Sequence, residues 1–576
     1  MSLFREAYCG GYECLVSWAD LLDRINVYPV ADADTGTNLR ISLASLRDVH
    51  LDKAKLIEQL SFSATGNSGN IAASFFKEFL KAESFADLPT SVHAGRENAW
   101  KSVLHPKSGT MLTVFDSLCQ ALGNPAITQE SASALIRPAL QESVLSTGQM
   151  LPDLKLAGVV DSGALGIFIF LDGFFQILAG KQQVVCQVTH LFQGKLTIAD
   201  AFETKLTGSY CVDTLIDTRQ SAAEFTERIS QLGESVVVLP GKSHLKIHIH
   251  TTNPETLRDE LASFGQIIQW SDEQIDADRK TAVASGKSKP AIHIVTDAAG
   301  SISRQTAEKL GITLLDSYII TKEESRPESL CSAEEIYSLM RSSAKVNTAQ
   351  ASTFERYQHY QSVLSQFSTV LYLCVGSVYT GNYATVCNWK KEHDAENSLK
   401  VFDTGAASGK LGSIAMITAR YATATSSPEK VLKFAQKAID TCQEYIFIDQ
   451  LKYLAAGGRL SKTSGFFGDL LHMKPVISPT KDGAQKVGIV RNQAAQVEFA
   501  LSKLAEQLHH DTQGFIMLQY SDNKAWVNDV MRETIHKLYP KSETICTPLS
   551  LTSGVHMGPG TWAVAFLPDW RRFATD

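Results

Sequence analysis

The sequence predicts a multidomain fold: an all-helical N-terminal domain, a small α+β middle domain and an α/β C-terminal module of two subdomains. Three observations predict it. The chain has 576 residues, and a prior of about 150 residues per domain gives three or four domains. Hydrophobic periodicity changes twice, from spacings of three and four to short β-rich runs and then to strands alternating with helices. A polar stretch ending in SGKSKP separates the last two parts. The boundaries read from these changes are 1–185, 190–278, a linker at 279–290, and 291–576.

In the first part Ile71, Phe75 and Phe79, and then Leu112, Phe115, Leu118 and Leu122, recur at three and four, the signature of helices with one buried face. Its unusual residues cluster in turns at Asn26–Asn38, Ala64–Asn70, His105–Thr113 and Gly158–Gly166. In the second part the runs Gly208–Ile216, Ser235–Leu239 and Leu245–Thr251 read as strands, with a helical stretch at Ser221–Leu232. In the third, Ile292–Val295, Val370–Val375 and Leu399–Phe402 read as strands between helical segments. A less regular subdomain is expected from about 425 to 550.

Composition narrows the function. A net charge of −7, with no long Lys/Arg run, argues against a nucleic-acid partner. The N-terminus lacks an uninterrupted apolar h-region, so export is not expected. The most apolar segment, Ala164–Leu171, is far shorter than the ~20 residues needed to cross a bilayer. No transmembrane segment is expected, which leaves room for transient contact with a membrane surface. Ten scattered cysteines without a CxxC pair predict a reducing, cytoplasmic setting.

In NVYPVADADTGTNLR, Asp32 and Asp34 flank one residue just before a helix start. Mg²⁺ takes oxygen ligands and usually shares carboxylates with substrate phosphates, which this pair would supply. The same residues read equally as an N-terminal cap region. ATGNSGNIAASFF places Asn67, Ser68 and Gly69 where free backbone N–H groups and the helix dipole favour an anion, although Gly-Asn-Ser-Gly is also an ordinary turn. HPKSGTMLTVF repeats this logic with Gly109 and Thr110.

The ordered motifs VADADTGTN, GNSGN, KSGTMLTV and AGVVDSGALGI resemble the ATP-binding subunit of dihydroxyacetone kinase, and most of all the kinase domain of bacterial fatty acid kinase. The resemblance implies an all-α helical barrel. It also implies that Asp32 and Asp34 hold Mg²⁺, with Asn26 as candidate third ligand, and that Asn38, Asn67, Ser68, Gly69 and Thr110 contact the phosphates of ATP. Asp161 and Gly163 would belong to the nucleotide-site wall. The family usually has Pro and Gly where this chain has Ala31 and Ala33, so the loop backbone is less restrained by its sequence.

In LKIHIHTTN, strand alternation puts Lys246, His248 and His250 on one face. Two histidines two apart on a strand can share a metal, and Cys211 on another strand would complete an N/N/S set suited to Zn²⁺. The alternative is a pair of solvated histidines in front of a buried cysteine. The YC strand and the HIHT strand resemble the middle domain of fatty acid kinase, whose matching Cys and two His are zinc ligands. The fourth ligand is open.

Beyond residue 291, VTDAAG, TAQAS, GSVYTGNY, VFDTGAASG, LKYLAAGGRLS, HMKPVI and VHMGPG resemble, in that order, the DegV family of fatty-acid-binding proteins. A buried carboxylate needs neutral donors at the mouth of its tunnel. The motif match makes Thr348, Ser377 and His556 the head-group ligands and puts Arg459 at the mouth, facing the kinase. Ala349, Ala351 and Val378 depart from the family pattern.

The fusion implied by these resemblances is a fatty acid kinase, a phosphotransferase with a carboxyl acceptor. Its expected ligands are ATP, Mg²⁺, Zn²⁺ and a long-chain fatty acid, with an acyltransferase as acceptor of the acyl phosphate. Asp32, Asp34 and Arg459 are the expected catalytic groups. A homodimer is expected from the kinase family alone. The rivals are a small-polyol kinase of the dihydroxyacetone type and a non-catalytic lipid-binding or regulatory protein.

Overall fold

The computed structural model describes residues 3–47, 52–181, 183–202, 209–218, 228–229, 231–241, 243–275, 290–322, 324–456 and 474–574. The chain divides into two compact units, Met1–Gly286 and Lys287–Asp576.

The first unit opens with helices. Leu3–Val16, Gly66–Phe79 and Met111–Leu122 surround Ser162–Leu178, which is buried almost all round. A helix without a polar face belongs at the centre of a bundle, and the segment SGALGIFIFLDGFFQIL supplies one. Phe75 stacks on Phe115 with ring centroids 4.0 Å apart, and Phe76 meets Phe170 edge to face at 4.6 Å. Aromatic pairs of this kind add to the burial energy of the core.

Helix Thr35–Ser42 crosses Ala19–Arg24 so closely that a Cβ on Gly36 would stand 2.1 Å from the Ala19 carbonyl oxygen. Because the obstacle is backbone, Gly36→Ala should cost about 1–3 kcal/mol through forced displacement. A lowered melting temperature of the purified protein would report it.

The middle part is a four-stranded antiparallel sheet of β1 (Tyr210–Asp217), β2 (Glu234–Pro240), β3 (His244–Thr251) and β4 (Gln266–Gln274), in the order β2-β3-β1-β4. Helix Pro254–Ala262 covers one face, burying Val212, Ile247, Ile249, Leu257 and Leu261 together. The expected helical stretch 221–232 lies mostly outside the described residues. The helical part protects the β2 edge: Val103 bridges Val237, and Leu104 N donates to the Val236 carbonyl at 3.1 Å. Lys77 Nζ adds a bond to the Pro240 carbonyl at 2.8 Å.

The second unit is α/β. Four parallel strands, β5 (His293–Asp297), β6 (Ile312–Leu315), β10 (Val370–Cys374) and β11 (Leu399–Asp403), pair in the order β11-β10-β5-β6. A small sheet joins β7 (Tyr318–Ile320), β8 (Ser325–Pro327) and β9 (Asn347–Ala349). The stretch expected to be irregular is instead a six-stranded mixed sheet. It contains β12 (Gln443–Phe447), β13 (Lys474–Thr480), β14 (Gly483–Val490), β15 (Phe515–Tyr520), β16 (Glu543–Pro548) and β17 (Trp562–Leu567), in the order β14-β13-β12-β17-β15-β16. Its central strands β15 and β17 are buried on both faces, so they show no alternation. Helix Ser408–Ala424 packs against strands of both large sheets.

The buried Asp297 carboxylate is fully partnered. Asp297 accepts from Tyr372 Oη (2.9 Å), Val375 N (2.9 Å) and Asn382 Nδ2 (2.8 Å), with Arg356 at 3.3 Å. Glu328 is less well compensated. Burial pushes its carboxyl up to about 7, opposed by hydrogen bonds from the Thr552 backbone and hydroxyl. Between pH 4.5 and about 7 the folded state therefore holds a proton that the unfolded chain has released. The stabilising contribution is full below the ordinary Glu value of 4.5 and is lost as pH rises through 7. Glu328→Gln should accordingly raise the melting temperature at pH 8 and leave it nearly unchanged at pH 4.5.

Candidate functional site

Asp32 and Asp34 lie on the loop between helices Ala19–Arg24 and Thr35–Ser42. Asp34 occupies the N-cap position of the second helix, yet its side chain makes no cap bond. Capping is done by Asp23 from the preceding helix, which accepts from Thr37 N at 3.0 Å and from Thr37 Oγ1 at 2.9 Å. That removes the reading of DADT as a cap and frees the Asp34 carboxylate. Ala33 between the pair has φ 56°, in the left-handed region where the resembled family carries Gly. This chain thus keeps the backbone turn at a strain cost of about 1–2 kcal/mol.

Burial, and then the adjacent Asp32, push the Asp34 carboxyl well above the ordinary range, against a hydrogen bond from Asn38. Two carboxylates this close must share a proton unless a cation joins them, so the pair fits a divalent metal. Asn26 stands behind it. Its Nδ2 donates to Asp32 Oδ1 at 2.5 Å, while its Oδ1 accepts from Thr35 Oγ1 (2.7 Å) and Ser162 Oγ (3.1 Å). In this arrangement Asn26 braces Asp32, and its own oxygen is already engaged.

The pair opens into a cavity of about 580 Å³ lined also by Asn67, Ser68, Thr110, Asp161, Gly163, His248 and His250. Asn67 and Ser68 come from the first turn of helix Gly66–Phe79, whose N-cap Thr65 makes no side-chain cap bond. Ser68 Oγ is buried at the cavity wall without a hydrogen-bond partner. Unpaired hydroxyls of this kind are rare, and this one can donate to a ligand oxygen in the cavity. Thr110 caps Met111–Leu122 weakly, accepting from Leu112 N at 3.4 Å. Asp161 caps Ser162–Leu178 through Ala164 N at 2.7 Å, and burial pushes its carboxyl up to about 7. Asn38, Gly69 and Gly109 do not line the cavity. Asn38 lies against Gly66, Gly69 against Ser42, and Gly109 donates to Thr113 Oγ1 at 2.7 Å.

The middle sheet closes the cavity with the Gly233–Val236 segment as well as the two histidines. On β1 and β3, Cys211 pairs with His250 and Asp213 with His248. His248 and His250 are buried, and both ring nitrogens of His250 have no hydrogen-bond partner. The solvated-histidine reading therefore fails. The ligand atoms of Cys211, His248 and His250 lie within 4.8 Å of one another, a soft donor set that fits Zn²⁺.

Two residues at the site carried no signal in the sequence, Asp213 behind His248 and Lys107 in the cavity lining. Asp213 accepts from Thr65 Oγ1 (3.0 Å), Gly66 N (3.0 Å) and Asn70 Nδ2 (3.3 Å), and its Oδ2 lies 3.3 Å from His248 Nδ1. Burial raises its carboxyl, but neighbouring His248 and Lys246 and the Gly66 N–H hold it down at about 2. Lys107 is the one lysine or arginine among the described lining residues, which include the carboxylates of Asp32, Asp34, Asp153, Asp161 and Glu234.

In the second unit, Thr348 Oγ1 and His556 Nε2 meet at 3.1 Å. Ser377 turns elsewhere, donating from Oγ to Asp403 Oδ2 at 2.5 Å and from N to Oδ1 at 2.9 Å. Arg459 lies outside the described residues.

The fold and its cavity thus define a multidomain protein with a helical, carboxylate-lined site in one unit and an α/β module in the other. Residues 29–176 match the DAK2 domain, 207–281 the FakA-like middle domain of fatty acid kinase, and 291–569 the DegV family. The chain joins these three domains in one polypeptide. An uncharacterized protein of Staphylococcus aureus strain bovine RF122 / ET3-1 is 31% identical over 337 residues, which cover 52% of this chain and 60% of the relative. One of Staphylococcus saprophyticus is 30% identical over 317 residues, 49% of this chain and 56% of the relative. The chain spans little more than half the length of these relatives.

Among solved structures, a DegV family protein of Thermus thermophilus, described by its fatty acid binding, is similar at TM-score 0.44 and 22% identity, over 48% of this chain and 99% of that one. A stearic acid-binding protein of Eubacterium ventriosum is similar at TM-score 0.45 and 19% identity, over 49% and 99%. Among the described residues no helix is long and apolar enough to cross a membrane.

Proposed function

We propose that this protein is a fatty acid kinase that carries its own acceptor-binding module, transferring the γ-phosphoryl group of Mg–ATP to the carboxylate of a bound fatty acid. The observation that carries the reading is the Asp32/Asp34 pair, released from capping by Asp23 and facing a cavity beside the unpartnered Ser68 hydroxyl. A triphosphate entering a cavity with five lining carboxylates and one lysine needs a divalent cation between the charges. Asp32 and Asp34 would hold Mg²⁺, with Asn26 bracing Asp32. The first turn of Gly66–Phe79 offers N–H groups and the unpartnered Ser68 hydroxyl to phosphate oxygens, and the Thr110 hydroxyl would join them once it leaves the Lys107 carbonyl.

The acceptor chemistry asks little of the protein. A fatty acid carboxylate is ionised at neutral pH, so no strong general base is required; its oxygen bonds to the γ-phosphorus as the bond to ADP breaks. The protein's contribution is positioning and charge neutralisation. Cys211, His248 and His250 would hold Zn²⁺, which supplies positive charge at the cavity wall. Thr348 and His556 would receive the carboxylate head, with Ser377 joining them once released from Asp403. Arg459 is the candidate for steadying the transferring group. Joining both modules in one chain raises their effective concentration for each other.

The test is ADP release by the purified chain with and without oleate. Turnover that requires oleate supports the reading. ADP release that ignores oleate, or none at all in protein that co-purifies with lipid, sinks it. Thr348→Val should weaken oleate binding about tenfold, the scale of a lost hydrogen bond to a charged group, while MgADP affinity stays unchanged. A fluorescent fatty acid displacement assay checks the first and calorimetry the second.

A further inference from the structure

We infer that Asp213 mechanically couples the Cys211/His248/His250 metal centre to the phosphate-binding turn, so that zinc and nucleotide bind to this chain with positive cooperativity. The inference rests on the reading of these two sites proposed above. It starts from strand geometry: Cys211 and Asp213 lie two apart on β1, on one face, directly opposite His250 and His248 on β3. The four side chains form a square on that face. Three of its corners converge as metal ligands. The fourth, Asp213, stands outside that group and contacts His248 Nδ1 at 3.3 Å.

A carboxylate behind a histidine fixes which ring nitrogen carries the proton and which faces the metal. Both ring nitrogens of His248 lie near Cys211 Sγ, Nδ1 at 3.9 Å and Nε2 at 3.8 Å, and the contact with Asp213 distinguishes them: with Nδ1–H directed at Asp213, Nε2 is the nitrogen left for the metal. A metal ion on Nε2 makes the Nδ1 proton a stronger donor and so holds Asp213 in place. The same carboxylate accepts from Thr65 Oγ1, Gly66 N and Asn70 Nδ2. These residues open the helix whose next two residues, Asn67 and Ser68, line the cavity. Asp213 occupies the Gly66 amide, and the cavity wall receives Asn67 and Ser68. Its donors therefore belong to two elements, β3 of the middle sheet and the turn of the helical part, so that one side chain bonds to both sites. Ordering either site pre-orders the other, and the linkage must act equally in both directions.

The experiment uses the full-length chain with and without one equivalent of Zn²⁺, titrated with MgADP by calorimetry, with bound zinc measured separately by elemental analysis. Wild type should bind MgADP about tenfold more tightly when zinc-loaded, within the usual range of coupling between sites. Asp213→Asn should retain one zinc per chain, because its three ligands are intact, while the ratio of the two affinities falls well below its wild-type value, toward the part that the zinc charge at the cavity wall supplies without Asp213. Thr65→Val, which removes one donor on the turn side, should lower the ratio in the same direction and carries the test if Asp213→Asn does not fold. A variant that merely destabilises the protein would weaken both affinities and leave their ratio unchanged. An unchanged ratio in the variants, or a ratio of one in wild type that binds both ligands, overturns the coupling alone. Failure of wild type to bind zinc or MgADP overturns the underlying site reading and the coupling with it.

Discussion

Asp34→Asn should abolish oleate-dependent ADP release, a loss of at least about a hundredfold to a thousandfold, the scale seen when one preorganised electrostatic contact of a reacting group is removed. The substitution keeps the side chain's size and its contact with Asn38, so a folding defect is not the expected cause. The opposite is expected of stability. The Asp34 carboxyl is pushed up by burial and by Asp32 beside it, so at neutral pH its ionised form works against the metal-free fold. Asn removes that repulsion. Metal-free Asp34→Asn should melt above wild type, while the rise in melting temperature that Mg–ATP gives wild type should disappear. A variant that melts lower and retains turnover would remove Asp34 from the metal site.

This pairing of gain and loss was partly visible in the sequence. DADT announces two carboxylates one residue apart, and the spacing alone could not separate a metal pair from a helix cap. The deciding residue is Asp23, which takes over the capping from 14 positions upstream, a relation fixed by how two helices cross and by no local pattern. Asp213 is a similar case. Its shared face with Cys211 follows from strand alternation, but its partners Thr65, Gly66 and Asn70 lie 143 to 148 residues earlier. The histidine pair was legible as a pair, whereas its burial on β3 depends on the helical part closing over the sheet. In the second unit Thr348 and His556, 208 residues apart, do meet. The hydroxyl of Ser377, read from its motif as a head-group donor, is engaged by Asp403 at the end of the adjacent strand. Periodicity failed where both faces of a strand are buried, as in β15 and β17, because no polar side remains to mark the alternation.

Gly66→Ala should reduce MgADP affinity by at least about tenfold. Gly66 has φ +64°, a conformation that costs an L-residue about 1–2 kcal/mol. A Cβ there would also fall 1.9 Å from Asn38 Nδ2, driving away the side chain that hydrogen-bonds to Asp34. The two consequences can be separated. Asn38→Ala alone removes the Asp34 contact and leaves the turn intact; Gly66→Ala with Asn38→Ala removes the collision but keeps the strained backbone. If strain in the turn dominates, the double variant binds MgADP no better than Gly66→Ala. If the collision dominates, the double variant binds as Asn38→Ala does. Either result shows that the nucleotide uses this turn, and the collision result alone ties the turn to the carboxylate loop, whereas wild-type affinity in Gly66→Ala would show that the nucleotide does not use it. The expected result lies with strain, because the Gly66 N–H is committed to Asp213, and a backbone that relaxes away from φ +64° must break that bond before it can relieve anything.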